Sequence, residues 1–463
     1  MDAHDPIVRE LRVPGIVLRR LAVLQPDRYP VLLDSAAEGP LSRTSILAAY
    51  PRAALWLDAQ NRLGAEGMTP RASRFLEALE QWWLAERASP AALGLPFTGG
   101  WILFLAYEMA CEIEPRLALP ASENLPWRAF ALRTPCALLH ERATDRVFAV
   151  AEPDAVDELE QMLADVRRAE RHGSALDGEV HALTVSEEPP EAYVERIHRV
   201  KEYIRAGDIY RANIARSWQV RLEPGASIGP VYRRLCDANP APFAALAQWQ
   251  GTAILSSSPE RLVRLTRGRI ETRPIAGTRP RSRRHGGDAN ETVELAAHPK
   301  ERAEHVMLID LERNDLGRVC EPGTVRVDEL MTIESYAHVH HIVSNVSGRL
   351  RNDVTPIGAL QAVFPGGTIT GCPKFRCMQI IAELEGVGRG AYTGSLGFLG
   401  RDGSMDLNIL IRTMTVTGDR VELRAGAGIV ADSDPLRELE ETRAKARGML
   451  AVFESAATPG AAA

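Results

Sequence analysis

The stretch GSLGFLGRDGSMDLNILIRTMTVTGDRVELRAGAG, residues 394–428, decides the fold class. Its strand-like runs GSLGFLG, NILIRTMTV and RVELRAGAG follow one another closely enough to indicate antiparallel pairing, because parallel neighbours need a long crossover between them. Further strand-like runs precede it: TAILSSS, TVRVDEL and HHIVSNVSG. Helical patterns fall near 71–87 and 154–170, and another begins at Pro190 and ends at Gly207, with Tyr193, Ile197, Val200 and Ile204 on one face. Strand and helix alternate too irregularly for a barrel or a doubly wound sheet.

Residues 5–150 read as short apolar runs between turn signals, a mixed α and β half without a chemical motif. The segments RHGSALDGEV, 171–180, and VSEEPPEA, 185–192, mark a linker. The expected division is an N-terminal region, 1–180, packed against a catalytic region, 190–455, with a disordered tail at 456–463. A chain of 463 residues, 45% hydrophobic, is long enough for a large core. Its formal net charge of −6 argues against a broad nucleic-acid footprint, leaving RPRSRRH at 279–285 as a local anion site at most. Six scattered cysteines without CxxC spacing suit a reducing compartment. No basic leader and no membrane-length apolar run is seen, so a cytoplasmic protein without membrane contact is expected.

The chain has only four lysines, and one of them, Lys374, stands in the glycine-rich stretch GTITGCPKFR, 367–376. Lysine is a compact point charge where arginine is a planar fork, so the choice has meaning at a tight site. Two helices carry paired carboxylates. In PKERAEHVMLIDLERND, 299–315, Glu301 and Glu304 share a face, with Val306, Ile309 and Leu311 toward the other side. In DSDPLRELEETRAKAR, 432–447, Asp434 and Pro435 start a helix that aligns Glu438, Glu441 and Lys445. Two such pairs can close around a hard cation such as magnesium, or be solvated faces paired with Arg302, Arg437 and Arg443. Glycine turns at SSSPE, PIAGTRPR, FPGGTITGCPK and AGAG let backbone N–H groups approach an anion, and none has P-loop spacing. The histidines of HVHHIVSN lack the spacing of a zinc site, and no G-x-S-x-G elbow is present.

In their order along the chain, SSSPERLV, RPIAGTRPR, ERAEHVMLIDLERNDLGRVCEPGTV, HHIVSNVSG, FPGGTITGCPKFRCMQIIAELE, YTGSLGFL, DLNILIRT and AGAGIVADSDPLRELEETRAKA resemble the chorismate-utilising enzymes. The likeness runs from about Pro190 to about Phe453 and is weaker in the N-terminal half. It implies an α+β fold, a two-layer sandwich of largely antiparallel sheets flanked by helices, as in anthranilate synthase component I. It also implies a magnesium-dependent reaction on chorismate. By motif, Glu304 and Glu441 correspond to metal ligands, with Glu301 and Glu438 supporting them. Glu260 corresponds to a general acid at the departing hydroxyl and His341 to the histidine beside it. Tyr392 and Arg412 correspond to the pair holding the enolpyruvyl carboxylate. Gly277, Thr278, Thr368, Gly426, Gly428 and Lys445 correspond to further substrate contacts. Lys374 is expected to make a supporting ion pair with the acidic shell and not to touch substrate.

Family members that activate water resemble one another in a lysine where this chain has Arg211, and the ammonia users usually have glutamine there. Arginine is no base, which argues against water as nucleophile. The wording of FPGGTITG, YTGSLGFL and DLNILIRT is similar to aminodeoxychorismate synthase component I, which makes 4-amino-4-deoxychorismate for 4-aminobenzoate and folate. Ala276, in PIAGT, stands where some of those enzymes have a nucleophilic lysine, and alanine is what anthranilate synthases carry. Anthranilate synthase component I is therefore the alternative, with a non-catalytic chorismate-binding subunit as a third. Both ammonia users imply a glutamine amidotransferase partner. The N-terminal LLDS resembles the segment by which anthranilate synthases bind tryptophan.

Overall fold

The structure, a computed structural model, describes residues 5–37, 39, 41, 43–90, 94–171, 173–280, 299–335 and 339–454. The side chains of residues 173, 278–280, 299–301 and 339 are not described. The tail at 456–463 and most of RPRSRRH lie outside the described residues.

Two sheets stack face to face, and every pairing between their strands is antiparallel. The first runs in the order Ile7–Leu11, Arg146–Ala151, Cys136–Glu141, Thr44–Ala49, Val31–Asp34, Phe243–Trp249, Thr252–Ser258, Thr413–Thr417, Arg420–Ile429, Arg211–Leu222, Ala182–Glu187. The second runs Ile275–Pro280, Val339–Arg349, Arg269–Arg273, Arg261–Thr266, Met405–Asn408, Ser395–Gly400, Gly100–Leu105, Trp127–Thr134, Ala53–Asp58, Leu63–Glu66. Because side chains alternate along a strand, each sheet presents one face to its partner and one to helices. Ile46, Phe104, Trp127, Phe130, Ile254 and Phe398 fill the space between the sheets. Helices Ile16–Leu24, Val156–Arg171 and Ile228–Ala238 cover the outside of the first through Leu18, Leu21, Leu159 and Leu235. Helices Phe75–Glu86, Pro299–Gly317 and Pro356–Val363 cover the second through Phe75, Leu79, Ile309, Leu316 and Leu360. This is the expected sandwich.

Three local expectations need correction. A strand, Ala182–Glu187, starts between the two segments expected as a linker, runs into the second, and pairs along Arg211–Leu222. Both halves of the chain build both sheets: Val31–Asp34 pairs with Phe243–Trp249, and Gly100–Leu105 with Ser395–Gly400. Secondly, NILIRTMTV is not one strand. Met405–Asn408 belongs to the second sheet and Thr413–Thr417 to the first, so the chain crosses the sandwich at 409–412. Thirdly, Val306 is exposed. The 299–317 helix turns inward His305, Leu308, Ile309, Glu312 and Leu316, which recur at helical spacing.

Candidate active site

Two crossings between the sheets build the centre of the site. SSSPE carries the chain from Thr252–Ser258 in the first sheet to Arg261–Thr266 in the second, with Glu260 at the crossing. Residues 409–412 make the return, with Arg412 at its end. The two are stitched together: the Ile409 N–H donates to the Glu260 carbonyl at 3.0 Å, and the Ser257 N–H to the Arg412 carbonyl at 3.0 Å. Arg412 has φ 51° and Thr393, beside Tyr392, has φ 64°. Left-handed backbone at non-glycine residues costs about 1–3 kcal/mol each and gathers at functional sites.

The Glu260 side chain is buried. Burial pushes its carboxyl up to about 7, against the Thr368 hydroxyl beside it, the Ile275 N–H at 3.3 Å, and the charges of Arg211 and Lys445. A carboxyl so placed still holds its proton up to about neutral pH, where an ordinary carboxyl has long lost it, which suits a general acid. Arg412 faces it. His341, on the strand Val339–Arg349 and paired with Thr278, is also buried. Burial first, then the Arg412 charge, drives it down to about 3 although the Gly277 backbone favours the charged form. Its imidazole is therefore neutral at working pH. Gly277 has φ 69°, a conformation natural to glycine, at a bulge in its strand.

The strand Arg211–Leu222 supplies the next layer. Arg211 donates through Nε to Glu304 Oε1 at 2.7 Å and through Nη1 to the Thr368 carbonyl at 2.9 Å. Its guanidinium lies so close to Gly428 that a Cβ there would come within 2.4 Å of Nη2. Two residues away, the Gly426 carbonyl accepts from Lys445 Nζ at 2.9 Å, and Lys445 pairs with Glu441 Oε1 at 2.7 Å. Glu304 and Glu441, from two different helices, thus each pair with a cation that lies against residues 426–428 of one strand. Glu438 lies buried one turn before Glu441, and Asp434 caps that helix through the Leu436 and Arg437 N–H groups, as its sequence predicts.

Among the described residues no three His, Cys, Asp or Glu side chains are gathered tightly enough to cage a metal ion. The donors that Glu304 and Glu441 offer are carboxylate oxygens, however, and each already pairs with a cation. That donor set fits magnesium, which takes few protein oxygens and keeps several waters.

Tyr392 stands on the other side of Gly426, where an added Cβ would come within 2.7 Å of its hydroxyl and 2.8 Å of the Ile214 carbonyl. The Asn213 amide donates to the same hydroxyl at 3.5 Å. Behind it, Arg389 lies over the Tyr392 and Tyr107 rings and pairs with the fully buried Glu385 at 2.6 Å. Asn213, Glu385 and Arg389 fix the tyrosine, and sequence reading missed them because nothing local marks them as neighbours.

Lys374 begins the helix Lys374–Glu385, directly after Pro373. It makes the ion pair expected of it, with Asp315 Oδ2 at 2.5 Å, and also donates to the Val363 carbonyl at 3.3 Å. Its partner lies on the same helix as Glu304. One turn before Asp315 is Glu312, also buried and also missed by sequence reading. A Cβ on Gly367 would come within 3.1 Å of its Oε1. Thus Gly367 and Thr368, adjacent in the turn, each have a buried carboxyl against them. Burial pushes Glu312 up to about 7, helped by Asp315 and Glu260 and opposed by Lys374 and the Thr272 hydroxyl. A carboxyl raised on folding stabilises the protein fully below its unfolded value near 4.5 and loses that contribution as pH rises through about 7. Glu312→Gln should therefore flatten the fall in stability between pH 5 and pH 8, recovering on the order of 2–3 kcal/mol at the alkaline end. Melting curves of both proteins across that range test it, and parallel profiles would contradict it.

In the N-terminal half, Asp34 of LLDS is held inside the fold by Arg19 at 2.6 Å and Ser45 at 2.9 Å. The side chains of Thr278 and Glu301 are not described. Among the described residues no helix is long and apolar enough to cross a membrane, and all six cysteines are free.

The profile of the chorismate binding enzymes matches residues 30–451. The chain belongs to that family. The match takes in the N-terminal strands that share both sheets. An anthranilate synthase component I-like protein of Synechocystis is 42% identical over 373 residues, 78% of this chain and 74% of that one. Aminodeoxychorismate synthase component 1 of Bacillus subtilis is 36% identical over 453 residues, 93% of each. The crystal structure of anthranilate synthase component I from Streptococcus pneumoniae superposes with a TM-score of 0.79 at 30% identity, covering 89% of this chain and 93% of that one. This member of the family is thus a chorismate-binding enzyme of the anthranilate synthase and aminodeoxychorismate synthase class.

Proposed function

We propose that the chain is the chorismate-converting component of an anthranilate synthase, adding ammonia at ring carbon 2 and releasing pyruvate to give anthranilate. The resemblance of FPGGTITG, YTGSLGFL and DLNILIRT by itself favours amination at carbon 4. Ala276 weighs against it: it is a buried alanine on the strand Ile275–Pro280, paired with Ile342, and offers no nucleophile for a covalent route. The names of most similar relatives, including the Synechocystis protein and the anthranilate synthase component 1 of Streptomyces coelicolor, support the same reading.

On this reading Glu260, raised to about 7 and so still carrying its proton in a large share of molecules at neutral pH, gives that proton to the departing 4-hydroxyl. The neutral His341 sits beside that hydroxyl and orients it. Arg412 and the Tyr392 hydroxyl hold the enolpyruvyl carboxylate, the arginine in a bidentate contact. Gly426 and Gly428 leave room for the substrate to lie against bare backbone, with Gly277, Thr278, Thr368 and Lys445 completing the walls. Glu304 and Glu441, supported by Glu301 and Glu438, would hold magnesium, which when bound anchors the ring carboxylate and polarises the ring as a Lewis acid. Arg211 is permanently charged and cannot activate water, which supports ammonia as nucleophile. A separate glutamine amidotransferase would supply that ammonia, and the protein would work in the cytoplasm.

The test is a product assay with chorismate, magnesium and ammonium, with and without an aminodeoxychorismate lyase. Fluorescent anthranilate and pyruvate should appear without lyase. A product that keeps the enolpyruvyl group and yields 4-aminobenzoate only with lyase would restore amination at carbon 4, the reading favoured by the full-length match to the Bacillus subtilis enzyme. Chorismate left unconsumed would sink both and leave a non-catalytic subunit.

A further inference from the structure

The proposed chemistry gives Arg211 no step, yet the fold holds it on three sides. Its side chain is 7% exposed. It is tied to Glu304 at 2.7 Å and to the Thr368 carbonyl at 2.9 Å, and its guanidinium rests on Gly428, where a Cβ would collide with it. The cation on the other carboxylate is different in kind: Lys445 is 40% exposed on a flexible stem and can swing away from Glu441. A divalent ion approaching Glu304 therefore meets a fixed positive charge that already occupies one of the carboxylate oxygens. In a buried setting that repulsion is poorly screened.

We infer that Arg211 is a positioning residue acting as an internal counter-ion: it keeps a divalent cation from settling on Glu304 until a ligand carrying its own carboxylates enters the pocket. Chorismate carries two. Their negative charge offsets the arginine, so cation and substrate bind as a pair, each raising the affinity of the other by the same factor. This inference rests on the proposed metal site and would make the enzyme's demand for magnesium conditional on substrate.

The experiment measures Mn2+ binding to the purified full chain by the electron paramagnetic resonance of the free ion, with and without chorismate and with no ammonia present. The wild-type protein should bind Mn2+ at least tenfold more tightly with chorismate than without. Arg211→Gln, which keeps a donor for the Thr368 carbonyl but removes the charge, should bind Mn2+ alone at least tenfold more tightly than wild type and gain less from chorismate. Arg211→Lys, which keeps the charge, should stay near wild type. Equal wild-type affinity with and without chorismate, or an Arg211→Gln protein that binds no better than wild type, overturns the inference, and the first comparison needs no variant to fold. Glu304→Gln separates this failure from failure of the metal site: if it binds Mn2+ as wild type does in the presence of chorismate, the metal is not on Glu304 and the magnesium reading falls too.

Discussion

Replacing Glu260 by glutamine is expected to lower chorismate turnover by about 10²–10⁴-fold, the range of a lost general acid, while leaving the fold at least as stable at pH 8. The two effects have one physical cause. Burial raises the Glu260 carboxyl to about 7, so its contribution to stability is complete below about 4.5 and fades as pH rises through about 7. At pH 8 the native protein holds a buried carboxylate that glutamine would relieve. Kinetics and melting temperature on the same preparation check both. A variant within tenfold of wild type would remove Glu260 from the chemistry, and one that melts much earlier would mean that its role is structural. At fixed free ammonia, the wild-type kcat/KM should also fall as pH rises past about 7, because the proton to be donated is then lost.

The second large effect concerns stability. Lys374→Met should destabilise the protein by about 3–5 kcal/mol at pH 8, since removing one partner of a buried ion pair strands the other charge. Asp315 is 7% exposed and Lys374 14%, so solvent screens the pair little. The stranded field would also fall on Glu312, which Lys374 now holds down. Adding Asp315→Asn should recover a good part of the loss, and lowering the pH should recover more as Glu312 takes up its proton. The KM for chorismate should stay within a few-fold of wild type. An unmoved melting temperature, or a large rise in KM without a stability change, would show instead that the lysine works in the pocket.

Much of this protein was legible along the chain. Close-spaced strand runs predicted antiparallel pairing, and Asp434 with Pro435 predicted a helix start that the structure has. These are local properties: a turn leaves room for one kind of pairing, and a cap satisfies N–H groups two and three residues away. The order of the motifs identified the family, and the lone lysine in a glycine-rich turn proved to be half of a buried ion pair.

Other features were fixed only by long-range contact. NILIRTMTV reads as one strand because β propensity does not record which sheet a residue joins; only packing between two sheets made 409–412 a crossing and brought Arg412 within reach of the Glu260 charge. The polar segment before Pro190 reads as a linker because an edge strand with an exposed face has the same composition. Glu312 is one charged letter in a charged helix, and nothing in that helix marks its close packing against Gly367 of a distant turn. Arg211 gave its chemistry, a permanent charge, from sequence alone. Its meeting with Glu304, 93 residues away, required both sheets to close. Sequence thus determined what each segment could form and which charges it carried, while tertiary structure decided which charges share one low-dielectric pocket, because burial and proximity belong to pairs of segments and to no segment by itself.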